Sequence, residues 1–171
     1  MMNMMKVLIG LLALGAVALR AASAVSAAGL MGSYGDWHAY RHTEGDDLMC
    51  FAVSGSRDES RAVAGHAPPR IYVTAWPGAG IKAEISVLLD FEPGKGSKIS
   101  VEVGGVAFSL FADADRAYIG DPDAELRLLE AMRRSRTLKL TMPVSSGDDV
   151  TANFSLSGLT ASVHAIATSC R

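Results

Sequence analysis

Apolar and polar residues alternate with a period of two along most of this chain. Glycine, proline or paired acids mark the places where the alternation stops. The clearest case is Ile99-Ser100-Val101-Glu102-Val103 followed by Val106-Ala107-Phe108-Ser109-Leu110, with Gly104-Gly105 between them. Two consecutive glycines supply the positive φ angles of a primed two-residue turn, and such a turn fixes the register. It sets Val103 opposite Val106, Val101 opposite Phe108 and Ile99 opposite Leu110 on one apolar face. Glu102 with Ala107 and Ser100 with Ser109 occupy the other face. Thr137-Leu138-Lys139-Leu140-Thr141-Met142 alternates in the same way, and Ile71-Tyr72-Val73-Thr74-Ala75-Trp76 is dense in β-branched and aromatic residues, so both predict strands. Further strands are expected over residues 37–40, 48–54, 84–89 and 150–157, with a turn and a short strand within 113–119. Residues 29–35 read as small and flexible. Residues 55–69 are rich in Ser, Arg, Gly and Pro without a period and read as a long exposed loop.

Two stretches switch to helical spacing. Asp121 is placed to cap a helix, Pro122 suits its first position, and Asp123 and Glu125 favour the positive end of its dipole. Leu128, Leu129 and Met132 share a face of it. Arg133, Arg134 and Arg136 lie at its negative end and read as a solvated terminus in preference to a basic binding patch. Leu159, Val163, Ile166 and Cys170, with Ala167 beside them, predict a second helix buried along one side. Some eight strands and two helices do not alternate as strand-helix-strand crossovers do. The expected fold is mainly β, an antiparallel β-sandwich with two short helices packed on it.

The first 28 residues belong to neither pattern. A short basic start ending at Lys6 precedes an apolar run over residues 7–19, then Arg20 and a stretch of Ala, Ser and Val. This is the layout of a secretory signal peptide, with cleavage sites available after Ala24, Ala27 or Ala28. Thirteen residues of helix rise about 20 Å, short of the roughly 30 Å of a hydrocarbon core, which disfavours an uncleaved anchor. The chain therefore divides into a leader, 1–28, and a single domain, 29–171. Its 171 residues, 49% of them hydrophobic, suffice for one real core. Without Lys6 and Arg20, 14 of the 16 basic side chains remain against 18 acidic ones, a net charge of −4. That mild acidity argues against a nucleic-acid partner.

Export changes how the two cysteines read. In an oxidising compartment Cys50 and Cys170 favour a structural disulfide over reactive thiols or metal ligands, since no Cys-x-x-Cys and no ligand-spaced histidine accompanies them. The other chemistry-bearing residues form no known grouping. His38 and His42 sit four apart in a strand-like stretch, where that spacing keeps the rings separate; His66 and His164 stand alone. Ser54-Gly55-Ser56 and Ser145-Ser146-Gly147 lack a partnered base. Asp46-Asp47, Asp113, Asp115 and Asp148-Asp149 fall in turns, where Asp suits the backbone, although paired acids also serve glycoside cleavage or calcium. Gly94-x-Gly96 is too short to cradle phosphate. No cofactor and no catalytic residue is indicated.

Gly35-Asp36-Trp37, Met49-Cys50-Phe51-Ala52, Arg70-Ile71-Tyr72-Val73, Phe108-Ser109-Leu110-Phe111, Ala131-Met132 and Phe154-Ser155-Leu156-Ser157-Gly158, closing with Ala161, Ile166 and Cys170, occur in an order and spacing that resembles the invasion associated locus B family. Tyr118 and Ser135 depart from the pattern, where Trp and Gly are expected. The resemblance implies an exported protein of a Gram-negative envelope, periplasmic or outer-membrane associated, in a family whose founding member is linked to entry into red blood cells. It carries over one site, the Cys50–Cys170 bridge. The expected role is non-enzymatic, binding a protein, a glycan or an envelope surface, with the 55–69 loop as the expected contact surface. The rival expectation is a periplasmic hydrolase of cell-wall or sugar substrates, which requires a pocket holding two or more of the histidines or paired acids.

Overall fold

The computed structural model describes residues 27–60, 63, 65–94, 96–144 and 149–170. The expected leader up to residue 26 and residues 145–148, including Ser145-Ser146-Gly147, lie outside the described residues. Among the described residues eleven strands are formed: β1 (Gly29–Tyr34), β2 (Trp37–Glu44), β3 (Asp47–Gly55), β4 (Asp58–Glu59), β5 (Arg70–Trp76), β6 (Ile81–Leu88), β7 (Ile99–Val103), β8 (Val106–Asp113), β9 (Arg116–Tyr118), β10 (Thr137–Met142) and β11 (Val150–Ser155). Two α-helices accompany them, α1 (Pro122–Arg134) and α2 (Leu159–Ser169), and a 3-10 turn at Pro77–Ala79 links β5 to β6. The strands form one antiparallel ladder in the order β1-β2-β3-β5-β6-β9-β8-β7-β10-β11-β4. The two layers of the expected sandwich are thus parts of a single sheet. That sheet closes on itself: the Trp37 indole of β2 reaches the Ser155 carbonyl of β11.

The turn chemistry at Gly104-Gly105 sets the hairpin register as expected. Val103 pairs with Val106, Val101 with Phe108 and Ile99 with Leu110, and both glycines have positive φ, 58° and 80°. Val106 is exposed and Phe108 half-buried, because β9 pairs with β8 only from Phe111 onward, whereas β10 flanks β7 as far as Val103. Inward apolar residues alternate along five of the strands: Cys50 and Ala52 on β3, Ile71, Val73 and Ala75 on β5, Ile85 and Val87 on β6, Leu138, Leu140 and Met142 on β10, and Ala152 and Phe154 on β11.

α1 begins as its sequence dictates. The Asp121 carboxylate accepts from the N–H groups of Asp123 and Ala124, Pro122 opens the helix, and Leu128, Leu129 and Met132 are buried. Arg133 and Arg134 both bridge Glu130 at 3.0 Å, as befits a solvated helix end. Glu125 Oε1 accepts the backbone N–H of Ile85 at 2.6 Å, beyond the point where β9 stops covering β6. In α2 the buried set is Leu159, Ser162, Val163 and Ile166, while Ala167 is exposed. Ser162 takes the place expected for Ala167 because it lies between Leu159 and Ile166 on the helical face, and its hydroxyl is satisfied by the Leu159 carbonyl at 2.8 Å.

Two further expectations are corrected. Residues 29–34 form strand β1, paired with β2 through a bulge between Leu30 and Gly32. The start of the 55–69 loop is also fixed: β4 pairs with β11, the Ser56 N–H donates to the Pro69 carbonyl, and the Arg57 and Ser60 N–H groups donate to the carbonyls of Asn153 and Thr151.

Candidate functional site

Cys50 is fully buried on β3, and Cys170 follows the last turn of α2. They form a disulfide with Cα atoms 5.9 Å apart, closing 120 residues of chain. A second tie lies at the opposite end of α2. The Tyr34–Asp36 turn meets the Ser155–Gly158 turn, where the Asp36 N–H donates to the Ser157 carbonyl at 3.0 Å. The Ser155 hydroxyl and Arg57, whose Nη2 lies 2.6 Å from Asp36 Oδ2, hold the Asp36 carboxyl below the usual carboxylate range. The motif segments around Trp37 and Ser155 are therefore two halves of one structural junction.

The structure separates the histidines. His38 is exposed on β2 and hydrogen-bonded to Ser33 Oγ at 2.9 Å. His66 Nδ1 donates to the Asp90 carbonyl at 2.5 Å, and its ring stands edge-on to Phe91. His164 is exposed on α2. His42 lines an open cleft of about 660 Å³ together with Asp47, Met49, Trp76, Ile81 and Glu84. Asp113 and Asp115 flank Ala114, whose φ of 51° makes the tight turn between β8 and β9. Among the described residues, no three His, Cys, Asp or Glu side chains are placed to hold a metal ion.

A feature that sequence reasoning missed lies on the outer face of β2, β3, β5, β6, β9 and β8. An antiparallel sheet with one solvated face ordinarily carries polar residues there. On β3 the outward positions are instead Met49, Phe51 and Val53, all half-buried. Strand register extends this into a band. Tyr40 lies opposite Phe51, and their rings stack at 5.1 Å with planes 17° apart. Phe51 meets Tyr72 at 5.9 Å, and the Arg116 guanidinium sits 5.0 Å over the Tyr72 ring. Across Ser86, Tyr118 meets Phe111 at 5.8 Å. Burial pushes the Tyr118 hydroxyl up from its ordinary value, and Arg116 opposes the shift. Phe111 is 51% exposed and Ile81 38%. The sequence did carry one signal: Leu48-Met49-Cys50-Phe51-Ala52-Val53 is an unbroken apolar run in a strand covered on one side only.

The cleft beside His42 forms the lower end of this face. What the arrangement offers chemically is a row of tyrosine, phenylalanine, tryptophan and methionine side chains with an arginine among them. Those are the residue types enriched where proteins meet.

No family model and no curated relative matches the chain. The crystal structure of invasion associated protein B from Bartonella henselae is similar to it over 84% of this chain and 97% of that one, with a TM-score of 0.57 and 14% identical residues. The two share a fold.

Proposed function

We propose that this chain is an exported envelope protein of the invasion associated locus B family, periplasmic or outer-membrane associated, that binds rather than catalyses. We place its contact surface on the aromatic outer face of the sheet. The fold shared with invasion associated protein B supports the family. The leader-like residues 1–28 and the Cys50–Cys170 disulfide support export. The observation that carries the binding role is the apolar band from Tyr40 through Phe51 and Tyr72 to Tyr118 and Phe111 on a solvent-facing sheet.

A protein partner fits this face better than a glycan. Sugars stack on ring faces that lie open, whereas Tyr40 and Phe51 cover one face of each other. Crosslinking capture from intact cells tests the reading, with the wild-type chain compared with Phe51→Ser and Phe111→Ser. Capture that depends on both aromatic residues is expected. Identical capture by all three chains refutes the assigned surface. A part in host-cell entry requires display outside the outer membrane, and whole-cell protease shaving that leaves the protein intact removes that role.

A periplasmic hydrolase is the second reading, favoured by the cleft that holds His42, Asp47 and Glu84. It requires turnover of a cell-wall or sugar substrate that His42→Ala abolishes. Absence of turnover on such polymers by the folded wild-type protein eliminates it.

A further inference from the structure

Strand register gives the outer face a polarity. Arg70, Leu88, Arg116 and Asp113 form one row across β5, β6, β9 and β8. The next row holds Tyr72, Ser86, Tyr118 and Phe111. The row beyond it holds Tyr40, Phe51, Thr74 and Glu84, and Asp47 lies further on in the same direction. Two arginines therefore stand on one side of the Tyr72–Phe111 row and Glu84 on the other. Same-face rows are two residues apart, about 7 Å along a strand.

We infer that this face is self-complementary and pairs with a second copy of the chain. The two-fold axis runs along the Tyr72–Ser86–Tyr118–Phe111 row. A two-fold placed there reflects each side of the row onto the other, so Arg70 and Arg116 of one copy flank Glu84 of its partner twice over. Residues on the axis meet their own counterparts, which sets Phe111 against Phe111 and seals the exposed ring. Asp113, beside Arg116 at the rim, tempers the basic side without reversing it. An axis along the strands instead faces arginine with arginine, so the charges select one of the two orientations. The inference rests on the outer face being the contact surface, and it names the occupant.

Sedimentation equilibrium of the oxidised, exported protein tests it. The wild-type chain forms a dimer with a dissociation constant in the micromolar to millimolar range, as suits a small interface carrying few charge pairs. Arg116→Glu and Glu84→Arg each weaken association roughly ten- to thirtyfold, because each swap acts twice about the axis. The chain carrying both swaps recovers part of the loss, since the 84–116 pair is restored with its signs exchanged while Arg70 then faces a like charge at position 84. Phe111→Asp, at a site 51% exposed, abolishes association by placing like charges across the axis. Thermal unfolding of each variant separates loss of pairing from loss of fold. A wild-type monomer at all concentrations to about 1 mM overturns the inference, as does a dimer indifferent to Phe111→Asp. Either result leaves the binding role standing if face-dependent capture of another protein persists in cells.

Discussion

The Trp37 indole N–H donates to the Ser155 carbonyl at 3.0 Å, in a fully buried position and across 118 residues of chain. This bond joins β2 to the last residue of β11, and so joins the two ends of the folded-over sheet. Phenylalanine at position 37 keeps most of the apolar volume and removes the donor, leaving a buried carbonyl unpaired. Trp37→Phe is expected to cost about 1–3 kcal/mol. Urea unfolding reads this as a lower midpoint with an unchanged slope.

The same junction makes one glycine irreplaceable. Gly158 opens α2 at a φ of 95°, and a Cβ there falls 1.6 Å from the Tyr34 carbonyl oxygen. Neither backbone segment is free to retreat, because the Asp36 N–H is bonded to Ser157. Gly158→Ala is expected to cost upwards of ~3 kcal/mol and to reduce the yield of folded protein. Gly105 is the control. Its φ is 80°, but a Cβ there meets open space, so Gly105→Ala costs only the left-handed backbone, about 1–2 kcal/mol. Circular dichroism melts of the two variants should differ accordingly.

The disulfide and the junction hold α2 at opposite ends, so cutting one leaves the other. Cys50→Ala with Cys170→Ala frees a loop of 120 residues, worth roughly 4–5 kcal/mol in the chain-entropy view. The expected product is a folded, less stable domain whose tail helix frays from its C-terminal end. Amide hydrogen exchange should show lost protection around Ile166 with protection kept at Trp37. Adding reductant should lower the melting temperature of the wild type and leave the double variant unchanged.

How much of this could be read from the chain followed the range of the interactions involved. The 99–110 hairpin and the start of α1 were legible because their determinants are local: two glycines fix a register, and an Asp-Pro pair fixes a cap. The Cys50–Cys170 pairing was legible because there was no other partner to choose. β1 was not, since Gly29–Tyr34 has little strand propensity and is held extended by β2. β4 is two acidic residues made into a strand by β11. The aromatic band needed the lateral strand order. Tyr72 and Tyr118 become neighbours only because β6 places Ser86 between them, and nothing near either tyrosine encodes that.

Two carboxylates give the pH dependence opposite signs. Hydrogen bonds from Ser155 and Arg57 lower the folded-state pKa of Asp36. Its contribution is therefore present above the ordinary Asp value of 3.8 and is lost as pH falls through the lower folded value. Burial raises Glu125 above its ordinary 4.5, with Glu84 adding to the rise and the Ile85 N–H opposing it. Its ionisation costs stability, so the favourable state holds below 4.5 and is lost as pH rises through the higher folded value. Asp36→Asn should consequently destabilise the domain at pH 7 and flatten the acid limb of its stability curve. Glu125→Gln keeps an acceptor for the Ile85 N–H and removes the buried charge. It should raise the melting temperature at pH 7 relative to wild type, with the difference vanishing near pH 4. Melting curves from pH 2 to pH 8 check both, and parallel curves for Glu125→Gln and wild type would show that burial at this site imposes no charge penalty.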